Sequence, residues 1–516
     1  MKHWLEESIF YEIYPQSFCD SNCDGIGDIP GIIEKLDYIK ELGCNALWLN
    51  PCYLSPFGDA GYDVADYCRV APRYGTNDDL VRLFEEAHKR DMHVILDLVP
   101  GHTSVEHPWF KESCKAEPNQ YWGRYIWSNS VWVDVADYDG IAGSLRGISS
   151  RDGSVAVNFF SNQPALNYGF AHPTEPWQSA VDSPEALGTR QAMKDAMTFW
   201  LSRGCDGFRV DMAGSLVKND PGSKETIRLW QDIRAFLDQT YPDAVMISEW
   251  GEPDKSLMGG FHMDFLLQFG TSHYMDLFRC DHPYFSREGK GDASSFVETY
   301  KRNYQLTNQK GMMCIPSGNH DTTRIRNYLD CNELKLVYAF LLSMPGAPFL
   351  YYGDEIGMRY LKLTSVEGGY DRTGSRTPMQ WNKEKNYGFS AAPAERLYTP
   401  QDPAEDAPVV SEQMEDPNSL WHEIQKLTKI RRAFPALCAS GDIRFVYCEP
   451  EKYPLVYLRS ADNQKILVAL NPSAEGVSCP CPYEMKERIY TLGGDLRIEN
   501  GILYIPGESA GFASVR

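Results

Sequence analysis

Val245-Met246-Ile247-Ser248-Glu249 is a short apolar run closed by an acid, and Gly207-Phe208-Arg209-Val210-Asp211 has the same design upstream. A run such as Val245 to Ile247 is apolar enough to be a strand buried on both faces. An acid that closes it projects from the strand's carboxyl end, where barrel enzymes keep their active sites. Ser317-Gly318-Asn319-His320-Asp321 places a third acid in the turn that follows the run Met312 to Ile315. Three acids converging on one mouth would be costly unless they were used.

Working outward, strand and helix signals alternate from the start of the chain. Strand Ile9 to Pro15 precedes helix Ile32 to Leu42, strand Ala46 to Asn50, helix Asp78 to Arg90 and strand Val94 to Val99. Past His102 the alternation lapses into Trp, Asn, Ser, Gly and Pro, a stretch too long for a simple loop. It resumes with helix Gln191 to Arg203, strand Gly207 to Asp211, helix Lys224 to Gln239 and strand Val245 to Glu249. Met263 to Phe269, Met312 to Ile315 and Phe349 to Tyr352 complete eight strands, and the helix Leu420 to Arg432 closes the set. The α/β class with a (β/α)8 TIM barrel is the expectation. Short alternating segments from about Gly441, such as Leu455 to Leu458 and Ile466 to Leu470, predict a C-terminal antiparallel β-sandwich. The expected division is therefore barrel 1–102, inserted subdomain 103–170, barrel 171–440 and sandwich 441–516. Residues 356–418 are again irregular and are expected to fold over the barrel mouth.

The 516 residues exceed one ordinary domain and suit a barrel with appendages. A net charge of −21 argues against nucleic acid or an anionic membrane as partner. A neutral substrate suits it better, and the 30 Tyr, 23 Phe and 12 Trp serve either a large core or stacking on sugar rings. The N-terminal residues lack an apolar signal core, and no apolar run approaches membrane-spanning length. With 14 scattered cysteines, free thiols in a reducing cytoplasm are expected. Cys479-Pro480-Cys481, with one residue between the thiols and no second pair, reads as inert.

Several motifs cluster at strand ends. Cleaving a glycosidic bond needs one carboxyl to protonate the leaving oxygen and a second to attack or stabilise the cationic sugar carbon. Asp211, Glu249 and Asp321 supply both roles, with one to spare. Arg209 lies two residues before Asp211, on the same face of the strand, where its charge favours an ionised carboxylate. Trp250 follows Glu249 and could shield it, raising its pKa toward that of a general acid. His102 and His320 sit at strand ends beside acids, placed to bond sugar hydroxyls, and Gly61-Tyr62-Asp63 offers a stacking ring and an acid. Asp20, Asn22, Asp24, the main chain of Ile26 and Asp28 present oxygens at every second position around Gly25, which suits a structural calcium ion, or magnesium in its place. The twelfth position of that loop is Gly31, so Asp28 would have to close the shell. An Asp- and Asn-rich turn held by its own side chains is the alternative. No organic cofactor is expected.

Taken together, these segments resemble glycoside hydrolase family 13, the α-amylase family, over essentially the whole chain. The resemblance implies a retaining mechanism on an α-glucosidic bond, with Asp211 as nucleophile, Glu249 as acid/base and Asp321 as the group gripping the distorted sugar. It also places Tyr62, Asp63, His102 and His320 around the reacting sugar, beside Arg209. The segment Arg376-Thr377-Pro378-Met379-Gln380-Trp381 is similar to that of exo-acting oligosaccharide enzymes, in which a nearby arginine holds the terminal glucose. Arg376 is the candidate, with Arg372 in reserve. Gly101 stands where many family members carry the Asn that binds a central calcium, so that second ion is not expected. Ala165 within Gln163-Pro164-Ala165-Leu166-Asn167 and Met212-Ala213-Gly214 after the nucleophile both depart from the α-1,6-cleaving pattern and favour α-1,4 bonds. The expectation is an α-glucosidase acting on small oligosaccharides, a cytoplasmic monomer or small homo-oligomer. A trehalose synthase or sucrose isomerase type of transglycosylase, and then an endo-acting α-amylase, are the alternatives.

Overall fold

The computed structural model describes residues 4–267, 272–307, 310–367 and 370–516. Eight parallel strands are formed by Phe10–Ile13 (β1), Ala46–Leu49 (β2), His93–Leu98 (β3), Gly207–Val210 (β4), Val245–Ser248 (β5), Met263–Phe265 (β6), Met312–Cys314 (β7) and Phe349–Tyr351 (β8). They pair in the order β7-β6-β5-β4-β3-β2-β1-β8, and a parallel bridge from Pro316 to Phe349 brings the two ends together into a barrel. The strands are buried on both faces because alternate side chains serve two cores. Inside the barrel, Phe10, Trp48, Ile95, Ile247, Phe265 and Phe349 pack on one another. The other side chains of the same strands, among them Tyr11, Leu47, Leu96, Phe208 and Met246, face the surrounding helices.

The helices differ from expectation mainly at their ends. The segment expected as one helix from Ile32 starts at Ile29, where the Asp28 side chain accepts from Gly31 N and Pro30 sits in the first turn. It breaks at Lys35 (φ −105°, ψ 4°) into Ile29–Glu34 and Leu36–Leu42. The helix expected from Gln191 begins about two turns earlier, at Pro184, with the Ser183 side chain capping Ala186 N. Strand β6 stops at Phe265, and the predicted extension to Phe269 runs outside the described residues.

Past β3 the chain leaves the barrel for a small subdomain built on the antiparallel pair Gly143–Arg146 and Ser154–Val157. Bridges from Phe170 to both Ala180 and Lys218 tie its exit to the loop after β4, so it is anchored beside the barrel mouth. At the C-terminus a five-stranded antiparallel sheet faces a three-stranded one. Val456, Leu467, Leu503 and Ile505 fill the space between them, as a sandwich requires. Cys479 and Cys481 belong to this core, and all 14 cysteines are free thiols. Among the described residues no helix is long and apolar enough to cross a membrane.

Candidate active site

Asp211 and Glu249 each sit one step past their strands, and Asp321 lies farther on, in the loop after β7. Asp211 N donates to Leu98 O at 2.8 Å and Glu249 N donates to Val210 O at 2.9 Å, which extends the ladder just enough to aim both carboxyls out of the mouth. Arg209, 1% exposed, stands beneath them. One of its terminal nitrogens lies 2.8 Å from Asp97 Oδ1 and 3.0 Å from Asp211 Oδ1, and the other 2.8 Å from Glu249 Oε1. The planar fork of a guanidinium permits this bridge, which a lysine could not make. Met212, directly after Asp211, adopts a left-handed backbone (φ 42°, ψ 44°), and its N–H donates to Glu249 Oε2 at 3.1 Å. Such a conformation in a non-glycine residue is strained, and here it helps lock the second carboxyl in place.

Burial pushes Asp211 well above the usual carboxylate range, the charge of Glu249 pushes the same way, and Arg209 pulls against both. Three carboxyls, of Asp97, Asp211 and Glu249, thus share one buried cation. Asp97 is raised to about 6 by burial, against the pull of the same arginine. The spacing predicts that Arg209 keeps Asp211 ionised; in the structure its attraction is present and outweighed by burial and the charge of Glu249. The Trp250 indole sits behind the site, its Nε1 only 2.5 Å from where a Cβ on Gly214 would lie, and it is not on the cavity wall.

Asp321 is held differently. Burial alone would raise it, but His320, Arg372 and Arg376 together hold it well below the usual carboxylate range. The arginines dominate at neutral pH, because burial drives His320 itself down to about 3. Arg372 and Arg376 each approach Asp321 Oδ1 at 2.8 Å.

These acids line a cavity of about 440 Å³ together with Asp59, Tyr62, His102, Phe159, Phe160, Met212, Asp371 and Arg372. Tyr62 lies on the wall, its hydroxyl donating to Asp97 Oδ2 at 3.0 Å. His102 donates from Nε2 to Tyr62 O at 3.2 Å, and burial lowers it to about 4, so it is neutral at neutral pH. His320 is fully buried under the floor, 2.8 Å from both the Tyr62 hydroxyl and Glu12 Oε1. It therefore positions Tyr62 and does not reach a sugar hydroxyl directly.

Two further expectations require correction. Asp63 is fully buried and folds its own turn, accepting from Ser55 Oγ at 2.9 Å, Gly58 N at 2.8 Å and Asp59 N at 3.0 Å. The wall position belongs to Asp59, which pairs with Arg372 at 3.2 Å. Arg376, 2% exposed, donates to His320 O at 2.8 Å and braces Asp321 from behind, whereas Arg372 reaches the cavity. Asp59, Phe159 and Phe160 escaped the sequence reading. The available signal was slight: Phe159 and Phe160 are adjacent aromatics in a polar loop, and Phe159 is 52% exposed, which no core role explains.

The Asp20 to Asp28 turn is complete on its own hydrogen bonds. Asp20 accepts from Cys23 N and Gly25 N, each at 2.8 Å, Asn22 Oδ1 from Asp24 N at 3.0 Å, and Asp28 from Ser21 N and Gly31 N. The donor set is all oxygen, as a hard cation requires, but Asp20 Oδ1 already accepts from Asn22 N and Cys23 N, Asp20 Oδ2 from Gly25 N and Ser390 Oγ, and Asp28 Oδ2 from Ser21 N and Oγ. The carboxylates of Asp20, Asp24 and Asp28 do not converge: among the described residues only His88, His93 and Asp206 form a cluster of three such ligands. The self-held turn is thus sufficient for the loop's shape.

The model of the α-amylase catalytic domain matches residues 12–440. The chain is 33% identical over 495 residues to a trehalose synthase/amylase of Mycolicibacterium smegmatis, covering 86% of this chain and 78% of that protein. It is 30% identical over 541 residues to an oligo-1,6-glucosidase of Parageobacillus thermoglucosidasius, covering 91% of this chain and 90% of the relative. The crystal structure of the trehalulose synthase MutB from Pseudomonas mesoacidophila MX-45 superposes with a TM-score of 0.82 at 26% identity, over 99% of each chain.

Proposed function

The chain belongs to the α-amylase family, and from that premise we propose that it is a retaining, exo-acting α-glucosidase that releases glucose from the non-reducing ends of short α-glucosides, α-1,4 bonds in preference to α-1,6. The observation that carries the exo reading is the Asp59–Arg372–Asp321 bridge on the cavity wall. Charged groups fixed to one another at a cavity end bond the hydroxyls of a terminal sugar and leave no path for a further unit.

In the proposed mechanism Asp211 attacks the anomeric carbon while Glu249 gives its proton to the departing glycosidic oxygen, and the C–O bond breaks. Glu249 then takes a proton from water, whose oxygen attacks the same carbon and releases Asp211. Positive charge developing on the sugar beside Asp211 favours the ionised nucleophile, against the burial that pushes Asp211 up. Asp321, ionised throughout, grips ring hydroxyls that shift as the sugar flattens. The aromatic pair Phe159 and Phe160 flanks the acceptor side.

The names of the relatives favour a second reading, a transglycosylase of the trehalose synthase kind, which replaces water by a sugar in the second step. Product analysis with maltose, isomaltose, sucrose, trehalose and starch separates the two. Glucose from maltose with little from starch supports the first; new disaccharides without net glucose support the second. Asp211→Asn should abolish turnover in either, and retained activity would overturn the mechanism. To hold a calcium ion as a staple for the first barrel loop, Asp20, Asn22, Asp24, the Ile26 carbonyl and Asp28 would have to draw together and release turn hydrogen bonds of Asp20; the ion would have no chemical role.

A further inference from the structure

On the inserted subdomain, away from the catalytic cavity, lies a cleft of about 900 Å³, twice the catalytic cavity's volume and sharing no lining residue with it. Its walls carry the half-buried indoles of Trp122 and Trp177, with Trp127, 4% exposed, packed behind them. The rings are fixed before any ligand arrives. The Arg151 guanidinium lies 3.9 Å from the Trp122 ring and 4.7 Å from that of Trp127, and it donates to the carbonyl of Trp122 at 2.6 Å. Trp177 is wedged edge-on between Phe170 and Tyr138, with centroids 5.7 Å and 5.1 Å away. Aromatic surfaces held this way present apolar area without the entropic cost of ordering side chains on binding.

Between the rings the cleft offers uncharged hydrogen-bonding groups. Gln178 spends its carbonyl on Thr174, and among the described residues the Asn129 amide has no hydrogen bond of its own. The charged lining residues are one arginine and two acids, Arg151, Asp152 and Glu185, so no strong field of one sign builds up. Two indoles and several amides in one near-neutral cleft, on a chain of net charge −21, suit a ligand with apolar ring faces and hydroxyl edges. An anion would find a single shielded arginine, and an apolar ligand would strand the amides.

We propose that this cleft is a second carbohydrate site, which takes a neutral oligosaccharide and holds it beside the catalytic domain. That the sugar is built of glucose rests on the proposed function; that it is a sugar rests on the cleft alone. The site would raise the local concentration of substrate at the barrel mouth.

The test is calorimetric titration of Asp211→Asn protein with maltotriose. Two sites are expected. Trp177→Ala should weaken one of them at least about tenfold, the scale of one lost ring contact, and leave the other unchanged. Should the loss of the indole disturb folding, judged by thermal midpoint, Trp177→Phe and the exposed-rim variant Glu185→Ala carry the same expectation at smaller size. A single site, insensitive to all three substitutions, would overturn the proposal. A single site that Trp177→Ala removes would uphold the cleft and count against the catalytic reading, which product analysis decides independently.

Discussion

Arg209 is the single cation among Asp97, Asp211 and Glu249, at 2.8, 3.0 and 2.8 Å. Replacing it with methionine keeps much of the volume and removes the charge. Breaking a buried pair by deleting one partner costs about 3–5 kcal/mol, because the other charge is left uncompensated. If the whole of about 4 kcal/mol fell on Asp211, its pKa would rise by about three units and the ionised nucleophile would drop about a thousandfold at a fixed pH. Between an equal share among three carboxyls and the whole on Asp211, the expected fall in kcat is about 10- to 1,000-fold. The pH dependence has a definite direction. The folded-state pKa values of Asp97 and Asp211 already lie above the ordinary carboxylate value, and the substitution raises them further. A carboxyl whose folded pKa exceeds its unfolded one destabilises the fold above that folded pKa and less so as the pH falls toward the unfolded value. The variant's stability deficit should therefore be largest at neutral pH and shrink on acidification, while the acidic limb of its kcat/KM profile moves to higher pH. Thermal midpoints across pH, with kinetics on maltose, read both. A variant within about 1 kcal/mol of the parent, the median reach of a surface pair, with an unmoved acidic limb, would refute the bridging role.

Asp59 and Asp63 should separate cleanly: Asp59→Asn raises KM for maltose with little change in thermal midpoint, whereas Asp63→Asn, which loses acceptors for buried N–H groups, lowers stability by about 1–3 kcal/mol. Equal effects in both assays would refute the division between a wall acid and a turn acid. Arg372→Ala is expected to raise KM at least about tenfold, the loss of one charge-assisted contact of about 1.5 kcal/mol or more. Arg376→Ala should act mainly on kcat and stability, since it bonds Asp321 and the His320 backbone, and steady-state kinetics distinguishes the patterns. If the Asp20 loop takes calcium, a chelator lowers the thermal midpoint and added calcium restores it, following mass action; an unchanged midpoint in both would leave the loop as a self-held turn.

The barrel was legible because its strands are short and doubly buried and two of them are closed by acids, a pattern that survives without knowledge of any contact. Helix starts were less so: the helix at Pro184 opens with a proline and polar residues, and its capping Ser183 resembles any loop serine until the Ala186 N–H is seen beneath it. The acids at the ends of β4 and β5 were readable for the same reason as the strands, since a position one step past a strand has a single direction available. Asp59 and Asp63 mark where that logic ends. Both lie in one turn, four residues apart, and sequence alone does not tell which carboxyl turns inward to collect the turn's N–H groups and which is left for the cavity. Three donors converge on Asp63, fixing it as the turn's hub, and that consumption is what frees Asp59 to meet Arg372. The arginine pair obeys the same rule: Arg376 is spent on the His320 carbonyl and on Asp321 within the protein, so Arg372 is the one left at the surface of the cavity. In each pair the residue that builds the loop and the residue that meets the ligand have the same chemistry, and the folded backbone, which decides where the N–H groups and carbonyls point, assigns the roles.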